Sequence, residues 1–414
     1  MEIDIIETKV KNVSQLKDKI SRSPSKKITS LLEIILGGAI SLDVSDIHIE
    51  PQKDEAKIRL RIDGLLQDLI SINSGDYQGL LSRIKLLSGI MLNITDRPQN
   101  GRFSVSLPEY PVEIRVSTLP AEKGETVVMR ILNPKSLVTI DVLGLRNDLL
   151  ATFKREIKRP NGMIIVTGPT GSGKTTTLYA FLKEIQRPEI KIITIEDPIE
   201  YHLKGISQTQ TAPQKGYDFA SGLKALMRQD PDVILVGEIR DLETANIAIQ
   251  AALTGHLVLT TLHTNDAAGT VARLTNLGVN PSNVGAALNL AIAQRLVRKV
   301  CKKCSEFKKP SAESLKKLKK ALKKIPKKLK IAHARGCRDC NFTGYRGRVG
   351  VFEAFLMDGE MEKFILKNPS IAALREKLAQ KGMLSMRQDG FIKVLEGITT
   401  IEEVERVAGQ EAES

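Results

Sequence analysis

A glycine-rich stretch followed by lysine and threonine is the part of this sequence that points most directly to chemistry. G-P-T-G-S-G-K-T-T fits the pattern G-x-x-x-x-G-K-[ST], and it lies between an apolar strand pattern and a helical pattern. Such glycines let backbone N–H groups approach phosphate oxygens, and the helix N-terminus favours the negative charge. We therefore expect ATP to bind at Gly168, Pro169, Thr170, Gly171, Ser172, Gly173, Lys174, Thr175 and Thr176.

Charged side chains follow three other strand patterns in the same half of the chain. They are Glu196, Asp197 and Glu200 after I-K-I-I-T-I, Glu238 after D-V-I-L-V-G, and His263 after H-L-V-L-T-T-L. Strand and helix patterns alternate here, which indicates a parallel sheet. Because ligands bind at the carboxyl edge of such a sheet, we expect these side chains to converge on the phosphates.

The magnesium ion that accompanies ATP has few expected protein ligands. Gly237 occupies the position at which phosphate-binding ATPases usually place an aspartate. Magnesium keeps several waters and takes oxygens from the nucleotide itself. We expect the Thr175 hydroxyl to bind the ion, and Asp197 with its two neighbouring glutamates to hold the waters. Glu238 is then left to orient and partly deprotonate the attacking water, and Lys174 to reach the β- and γ-phosphates.

The four cysteines of the chain form two matched pairs, Cys301-x-x-Cys304 and Cys337-x-x-Cys340. Four thiolates suit a tetrahedral structural Zn²⁺ ion, whose closed coordination leaves no position for a substrate. The interval between the pairs exceeds the roughly 15 to 20 residues that are common in such sites. Doubling a loop costs only about 0.6 kcal/mol, so this length does not exclude zinc. A redox role would need only one reactive pair.

The elements that position these residues form two domains, giving an α/β chain. Residues 28–134 combine helical patterns, a hairpin at Asp63-Gly64 and three later strand patterns, which predicts a small α+β domain. The ATPase domain with the parallel sheet is predicted over residues 135–414. It includes a zinc module at about 297–349 and a helical region at about 350–414. A polar stretch predicts a flexible arm over residues 1–27. Four arginines of the first domain could share one face of its sheet: Arg59, Arg61, Arg115 and Arg130.

The positive charge of the chain is concentrated in one segment. The net charge is +14, and nine lysines lie from Lys316 to Lys330, without which it would fall to +5. Apolar residues recur at helical spacing from Leu315 to Leu329, with Pro326 as an expected kink. Two interpretations stay open, a solvated cationic face on the zinc module or contact with anionic lipid or an acidic partner.

Composition and hydropathy exclude several classes of protein. Aromatic residues make up 4% and Trp is absent, which argues against a surface that stacks unpaired bases, so nucleic acid is a disfavoured partner. The N-terminal sequence mixes acids and bases without an apolar core, unlike a signal peptide. The longest apolar stretches fall short of the roughly 20 residues that cross a bilayer. We expect a cytoplasmic protein.

From about Ile28 onward, the sequence resembles the secretion ATPase superfamily, and within it the type II secretion and type IV pilus assembly ATPases (the GspE/PilB group). T-I-E-D-P-I-E-Y is similar to the acidic box of that group, V-G-E-I-R-D to its atypical Walker B motif, and G-H-L-V-L-T-T-L-H-T-N-D to its His box. The other stretches that carry the resemblance are S-D-I-H-I-E-P, R-I-D-G, R-V-S-T-L-P, G-P-T-G-S-G-K-T-T-T-L-Y and G-Y-R-G-R-V-G-V-F-E.

The resemblance implies a homohexameric motor in which a PAS-like N-terminal domain rotates against a RecA-like ATPase domain. Arginines of the N-terminal domain close onto the nucleotide in that family, and Arg115 in E-I-R-V-S and Arg130 in V-M-R-I-L match them. It also implies a catalytic role for His263, an inner-membrane platform protein as partner, and a peripheral location at that membrane. Larger assembly ATPases carry an additional N-terminal domain, where this chain has a short polar arm.

Several alternatives remain at this point. Retraction ATPases of the superfamily generally lack the cysteines, which favours pilus assembly or protein secretion over retraction. A DNA-translocating ATPase is disfavoured by the few aromatic residues and the localised charge. A scaffold that binds nucleotide without turnover is disfavoured by Lys174, Glu238 and His263. His256 resembles the first histidine of the His box, and a packing role is the alternative to a catalytic one.

Overall fold

The computed structural model describes residues 2–4, 8–22 and 27–409, which belong to two compact units. The first unit holds Met1–Ser136, Val300–Glu306 and Ala334–Gly347. The second unit holds Leu137–Lys299, Phe307–His333 and Arg348–Ser414. Each unit combines helices with a sheet, which agrees with the predicted α/β class. No helix among the described residues is both long and apolar enough to cross a bilayer.

The regular elements of the described residues are numbered here in chain order. The helices are α1 (Val13–Arg22), α2 (Ile28–Ser41), α3 (Ser74–Ser88), α4 (Asn147–Glu156), α5 (Lys174–Ile185), α6 (Phe219–Leu226), α7 (Leu242–Leu253), α8 (Ala268–Asn276), α9 (Pro281–Ala287), α10 (Ala312–Ala321), α11 (Gly359–Ile365), α12 (Ile371–Gln380), α13 (Met386–Leu395) and α14 (Ile401–Ala408). The strands are β1 (Glu2–Asp4), β2 (Asp46–Pro51), β3 (Glu55–Ile62), β4 (Leu65–Asn73), β5 (Gln99–Ser106), β6 (Pro111–Ala121), β7 (Gly124–Leu132), β8 (Gly162–Thr167), β9 (Ile192–Glu196), β10 (Ser207–Gln210), β11 (Val233–Val236), β12 (Leu257–Leu262), β13 (Leu288–Val300), β14 (Glu306–Lys308), β15 (Ile331–His333) and β16 (Tyr345–Leu356).

The first unit is built on a sheet with the strand order β1-β5-β6-β7-β2-β3-β4. β3 and β4 form the predicted hairpin, and Asp63 and Gly64 in its turn have φ angles of 49° and 86°. Two-residue turns of this kind need left-handed backbone, which Asp-Gly tolerates. Side chains alternate along β3, where Ala56, Ile58 and Leu60 are buried beneath α2 and α3. The sheet therefore has one apolar face and one polar face.

The predicted arm at residues 1–27 contains regular structure where the structure describes it. β1 pairs in parallel with β5, and the N–H of Val13 at the start of α1 donates to Asn341 Oδ1 at 2.8 Å. Leu16 is fully buried against Gly38 of α2, where a Cβ would lie 2.2 Å from Leu16 Cδ1. One well-packed leucine thus anchors a helix that its polar composition did not predict. Residues 1, 5–7 and 23–26 lie outside the described residues.

The second unit is built on a sheet with the strand order β10-β9-β11-β12-β8-β13-β16. β8 pairs in parallel with β12 and β13, and β11 pairs in parallel with β9 and β12, as the sequence predicts. Every residue of β8 is buried because apolar clusters cover both faces. Met163 and Ile165 belong to one cluster, and Ile164 and Val166 to the other. This pairing brings the carboxyl ends of the strands to one edge.

Four helices, α11 to α14, follow β16 in the predicted helical region. Arg298 of β13 donates to Glu403 of α14 through Nε at 3.0 Å and through Nη2 at 2.7 Å. Burial raises the pKa of Glu403, but hydrogen bonds from Arg406 and Arg298 outweigh burial and lower that pKa to about 2. Glu403 is therefore ionised at neutral pH and fastens the last helix to the sheet.

The lysine-rich segment is helical only in its first half. α10 ends at Ala321, and Leu322 is extended with φ −121° and ψ 132°. The predicted helical spacing as far as Leu329 is therefore wrong beyond Ala321. The ring of Pro326 would clash with the carbonyl of the residue four positions earlier, which is Leu322. Leu318 and Leu329 are buried in a cluster of the second unit, while most of the lysines between them are exposed.

Candidate functional site

The glycine-rich loop joins the carboxyl end of β8 to the N-terminus of α5. Gly168, Gly171 and Gly173 have φ angles of 150°, 77° and 89°, which residues with a Cβ rarely adopt. A Cβ on Gly173 would also lie 2.8 Å from Gln294 Nε2. The glycines of the motif are therefore required by the backbone of this loop.

Lys174, the first residue of α5, folds back over the loop. Its Nζ donates to the carbonyl oxygen of Gly168 at 2.8 Å and to that of Pro169 at 3.3 Å. Burial lowers the pKa of Lys174, the negative charge of Glu238 raises it, and the positive charge of Arg295 lowers it. A phosphate beside the ammonium would favour the charged form of the lysine. Lys174 can thus exchange two carbonyl oxygens for phosphate oxygens.

The donors around this loop fit a polyphosphate group. The Ser172 hydroxyl is buried and has no hydrogen-bond partner among the described residues, so it can donate to an anionic oxygen. Thr175 and Thr176 are half-buried in the first turn of α5. Backbone N–H groups at a helix N-terminus, a lysine ammonium and hydroxyls are donors that bind phosphate. The Thr175 hydroxyl is the group that would hold Mg²⁺ beside the phosphates.

Glu238, His263 and Asp197 meet at the carboxyl edge of the same sheet. His263 Nε2 lies 3.3 Å from Glu238 Oε2. Arg240 joins the two acids, because its Nη2 contacts the Glu238 carboxylate and its Nη1 lies 3.5 Å from Asp197 Oδ2. The Glu238 side chain is 16% exposed, so these neighbours restrict its orientation. The convergence expected of parallel strands is present, and Arg240, to which the sequence analysis gave no role, lies at its centre.

Gly237 lies close to the backbone of β9. Its N–H donates to the Ile195 carbonyl at 2.8 Å, and Thr261 Oγ1 donates to the Gly237 carbonyl at 2.7 Å. A Cβ on Gly237 would lie 3.3 Å from Glu196 Cα and 3.3 Å from the Ile195 oxygen. An aspartate would therefore fit only if its neighbours moved by a few tenths of an ångström. Because Gly237 has no carboxylate, a metal would need its ligands elsewhere.

Glu196 is buried, and three protein groups donate to its carboxylate. The Tyr179 hydroxyl donates to Oε2, while Thr194 Oγ1 at 2.6 Å and Gln208 Nε2 at 3.1 Å donate to Oε1. Burial and the charge of Glu196 raise the pKa of Tyr179 well above its usual range. The predicted role of Glu196 in holding magnesium waters would need a water to replace one of these donors.

Asp197 and Glu200, the other two predicted holders of magnesium waters, are less buried. The Asp197 side chain is 38% exposed, and Glu200 is half-buried in the segment that follows β9. Their oxygens are therefore more accessible to water than those of Glu196. The contact between Asp197 and Arg240 keeps this carboxylate near Glu238.

His256 lies at the opposite end of β12 from His263. β12 pairs with β8 along its whole length, from Gly162 to Thr167, so its two ends are separated by the full strand. Six residues of strand span roughly 20 Å. His256 Nδ1 lies 3.1 Å from the Ala251 carbonyl at the end of α7. This position favours the packing role over the catalytic one.

Two polar residues of β13 connect the loop to the segment after His263, and the sequence analysis missed them. Gln294 is 2% exposed and accepts a hydrogen bond from Thr177 Oγ1 at 2.7 Å. Arg295 Nη2 donates to the Asn265 carbonyl at 3.0 Å. The signal was present in the sequence, because Q-R interrupts the apolar run L-N-L-A-I-A-Q-R-L-V. A polar pair inside a buried strand needs partners, and here those partners belong to the candidate site.

The four cysteine sulfurs lie within 4.8 Å of one another in the first unit. The Sγ–Sγ distances are 3.9 Å for Cys301 and Cys337, 3.8 Å for Cys304 and Cys340, and 3.8 Å for Cys337 and Cys340. Tetrahedral zinc with bonds of about 2.3 Å places its sulfurs about 3.8 Å apart. Cys340 Sγ accepts hydrogen bonds from the backbone N–H groups of Cys337 and Gly344. Burial raises the pKa of the Cys340 thiol, but these hydrogen bonds outweigh burial and hold that pKa below its usual range. The cluster therefore fits a structural zinc ion.

Arg115 and Arg130 lie opposite each other on β6 and β7 of the first unit. Arg130 Nε donates to Asp46 Oδ1 at 2.9 Å, and Arg115 Nε lies 3.4 Å from Glu113 Oε1. The Arg130 side chain is 53% exposed, and the Arg115 side chain is 21% exposed. Each arginine is thus held by an acid of its own unit, and its approach to a nucleotide stays a prediction.

Comparison with known proteins finds relatives that belong to secretion and pilus systems. Residues 22–406 match the family described as type II/IV secretion system protein. The type II secretion system ATPase E of Vibrio cholerae is 44% identical over 395 residues, which cover 95% of this chain and 78% of that protein. The type IV pilus assembly ATPase PilB of Thermus thermophilus is 44% identical over 373 residues, covering 89% of this chain but 42% of that protein. Among solved structures, the pilus retraction motor PilT with bound ADP has a TM-score of 0.63 at 27% identity and covers 92% of this chain and 96% of that chain.

Proposed function

The chain belongs to the type II/IV secretion system protein family, and we propose that it is a motor ATPase whose hydrolysis of ATP drives type IV pilus assembly or type II protein secretion. The observation that carries this proposal is the meeting of the Lys174 loop with Glu238 and His263 at one edge of a parallel sheet. A phosphate-binding loop beside an oriented carboxylate and imidazole supports hydrolysis in addition to binding.

Phosphate release by the purified chain tests this function. With ATP and Mg²⁺ alone, we expect steady release that increases with protein concentration if the chain must assemble to act. Release that appears only when DNA is added would favour a DNA-translocating ATPase. Bound ATP without any release, at concentrations where the chain is assembled, would favour a nucleotide-binding scaffold.

The proposed chemistry divides among the residues at the sheet edge. Bound Mg²⁺ would neutralise phosphate charge and orient the transferred phosphoryl group. Glu238 accepts a proton from the attacking water, and His263 and Arg240 hold the Glu238 carboxylate in position. Lys174 stabilises the phosphate oxygens, and the Thr175 hydroxyl would hold the metal. Asp197 and Glu200, with Glu196 if its partners exchange, would hold waters of the ion.

The proposed architecture extends beyond a single chain. Residues 28–134 would form the PAS-like domain, and residues 135–414 would supply the RecA-like domain and the helical C-terminus. The cysteine cluster, which the sequence assigned to the second domain, belongs to the first compact unit. Six copies would form a homohexamer in which Arg115 and Arg130 act on the phosphates. The motor would work on the cytoplasmic side of the inner membrane against a platform protein. The pilus and secretion relatives support an ATPase that serves one of these two systems.

Zinc in the cysteine cluster gives a prediction about stability. Cys340→Ser should abolish stoichiometric zinc binding and lower the midpoint of thermal unfolding, because a structural zinc ion contributes about 10 kcal/mol or more to local folding. Elemental analysis and calorimetry measure the two effects. Ser305→Ala is the matched control, since Ser305 follows Cys304 in the same loop and carries no sulfur. Wild-type chain that unfolds identically with and without metal would contradict the proposal.

The exposed lysines of the segment 316–330 are proposed to contact anionic lipid. Leu318 and Leu329 are already buried in the protein, so the segment has no apolar face left to insert into a bilayer. Lys317 is paired with Glu313 and Glu405, each at 3.2 Å, whereas the lysines at 323, 324, 327 and 328 are exposed. Contact would therefore be electrostatic and would weaken as salt rises.

Binding to vesicles tests this contact. Lys→Gln substitution at Lys323, Lys324, Lys327 and Lys328 should weaken binding to phosphatidylglycerol vesicles more than tenfold, because each lysine contributes about 1 kcal/mol near such a surface. The control removes the same charge from scattered exposed positions, by Lys→Gln at Lys191, Lys204, Lys215 and Lys367. Cosedimentation at increasing salt measures both. Equal losses in the two variants would mean that net charge, and not this segment, attracts the membrane.

A further inference from the structure

Asp46 is a buried acid on the polar face of the sheet in the first unit. It is the first residue of β2, which lies between β7 and β3 in the sheet. Its direct cross-strand neighbours are Arg130 on β7 and Arg61 on β3. The Asp46 side chain is 7% exposed, whereas those of Arg130 and Arg61 are 53% and 35% exposed. A carboxylate is thus covered by two arginines that extend beyond it.

Both oxygens of the Asp46 carboxylate have partners. Arg130 Nε donates to Oδ1 at 2.9 Å, a length typical of a strong charge-assisted hydrogen bond. Ser45 Oγ donates to Oδ2 at 2.9 Å, and Arg61 Nε lies 3.4 Å from the same oxygen. The Ser45 backbone is itself fixed, because its N–H donates to the Arg61 carbonyl and its carbonyl accepts the N–H of Ile131. The carboxylate therefore has a defined position in the middle of the sheet.

Asp46 is also the one acid in a row of positive charge. Successive cross-strand partners across β5, β6, β7, β2 and β3 are Arg102, Arg115, Arg130, Asp46 and Arg61. Like charges that face each other directly on neighbouring strands destabilise a sheet. Asp46 places a negative charge directly beside Arg130 and so offsets the repulsion between Arg130 and Arg115.

We propose that Asp46 is a positioning residue that fixes the orientation of the Arg130 guanidinium for its action on the phosphates of ATP. This inference rests on the proposed function, in which Arg130 stabilises charge on the transferred phosphoryl group. A hydrogen bond at Nε together with the side-chain stem fixes the plane of the guanidinium, and a misplacement of about 1 Å can cost about 100-fold in rate. Loss of Asp46 would leave the charge of Arg130 unchanged but would remove the hydrogen bond to its Nε.

This role also explains two motifs that the proposed function leaves unused. Asp46 is the acid of S-D-I-H-I-E-P, and Arg61 begins R-I-D-G. Both are about 70 or more residues from Arg130 along the chain, and the sheet places Asp46 between Arg130 and Arg61. Arg61 adds a second positive group beside the same carboxylate, with its Nε 3.4 Å from Oδ2.

Steady-state kinetics of the full-length chain test the proposal. Asp46→Asn should lower kcat by about 10- to 100-fold and leave the KM for ATP within about twofold, because positioning matters most in the transition state. Asp46→Glu keeps the charge but moves the carboxylate by one methylene, so its kcat should also fall. Asp68→Asn is the matched control, since Asp68 is an exposed acid of the same sheet that pairs with Lys57 at 2.7 Å.

A double-mutant cycle separates this inference from the function on which it rests. If Asp46 acts through Arg130, Asp46→Asn should have little further effect on kcat in an Arg130→Ala background. Wild-type activity of Arg130→Ala would overturn the proposed role of the arginine itself. A loss in Arg130→Ala with full kcat in Asp46→Glu, or additive losses in the double variant, would overturn the role of Asp46. Thermal unfolding of each variant identifies losses that come from the fold, and Asp46→Glu keeps the test valid if Asp46→Asn is unstable.

Discussion

Replacement of Glu238 by Gln is expected to preserve ATP binding and to reduce hydrolysis by about 10²- to 10⁴-fold, the range typical of a lost general base. The amide keeps the size of the carboxylate but cannot accept a proton from water. The Glu238 carboxylate lies beside His263, and its negative charge opposes the lowering of the Lys174 pKa by burial. Glu238 is therefore close to the loop that would hold the phosphates. Removing its charge should not weaken the attraction of the loop for an anion.

Two assays with one control separate binding from turnover in this variant. Titration calorimetry measures ATP affinity, and phosphate release measures kcat under saturating ATP and Mg²⁺. Glu243→Gln is the matched control, because Glu243 is an exposed glutamate in the first turn of α7 that pairs with Lys224 at 2.5 Å. The control should keep wild-type rates. Hydrolysis by Glu238→Gln at a rate similar to that of the control would show that another group activates the water.

Replacement of Arg130 by Ala should lower kcat by about 10³-fold or more, which corresponds to roughly 4 kcal/mol of barrier. Arginines that reach the transferred phosphoryl group stabilise charge that develops mainly in the transition state. ATP affinity should therefore change much less than kcat. Arg115→Ala should behave similarly, because Arg115 lies directly opposite Arg130 in the sheet.

Arg59→Ala is the matched control for these arginine variants. Arg59 lies on the same face of the sheet, two residues from Arg61, and pairs with Glu50. Loss of Arg59 removes the same charge from the first unit without removing either predicted phosphate contact. Equal rates for Arg130→Ala and Arg59→Ala would mean that the unit contributes only its general positive potential. A selective loss in Arg130→Ala and Arg115→Ala would assign the effect to these two positions.

Local signals in the sequence predicted much of the fold. Asp63-Gly64 between alternating patterns predicted the β3–β4 hairpin because few residue pairs tolerate that turn. The alternation of strands and helices predicted parallel pairing, and parallel pairing implies a common carboxyl edge for the loop, Glu238 and His263. These features depend on backbone geometry, which short stretches of sequence encode.

Features that depend on packing between distant residues were not predictable in the same way. The burial of Leu16 needs the flat surface at Gly38, and the end of α10 depends on whether Pro326 or the leucine spacing dominates. Glu196 carries the same charge as Glu238, yet Tyr179 and its other donors hold it inside the protein. Sequence gives the type of a side chain, whereas its role depends on which partners the fold brings to it.

The cysteine pairs illustrate the limit of spacing rules. The interval between Cys304 and Cys337 is longer than is common in such sites, and the four sulfurs lie at mutual distances that fit tetrahedral coordination. The interval contains α10 and two short strands, so much of its length is folded structure. Loop length therefore says little about whether its ends can meet.

A structure of the assembled chain with Mg²⁺ and a non-hydrolysable ATP analogue would show whether Glu238 activates the attacking water. We expect Glu238 to lie within hydrogen-bond reach, about 2.6 to 3.2 Å, of a water placed in line with the γ-phosphate. We also expect Lys174 to exchange its bonds to the Gly168 and Pro169 carbonyls for bonds to phosphate oxygens. A structure in which the Glu238 carboxylate points away from the γ-phosphate, with no water between them, would show that Glu238 is not the general base.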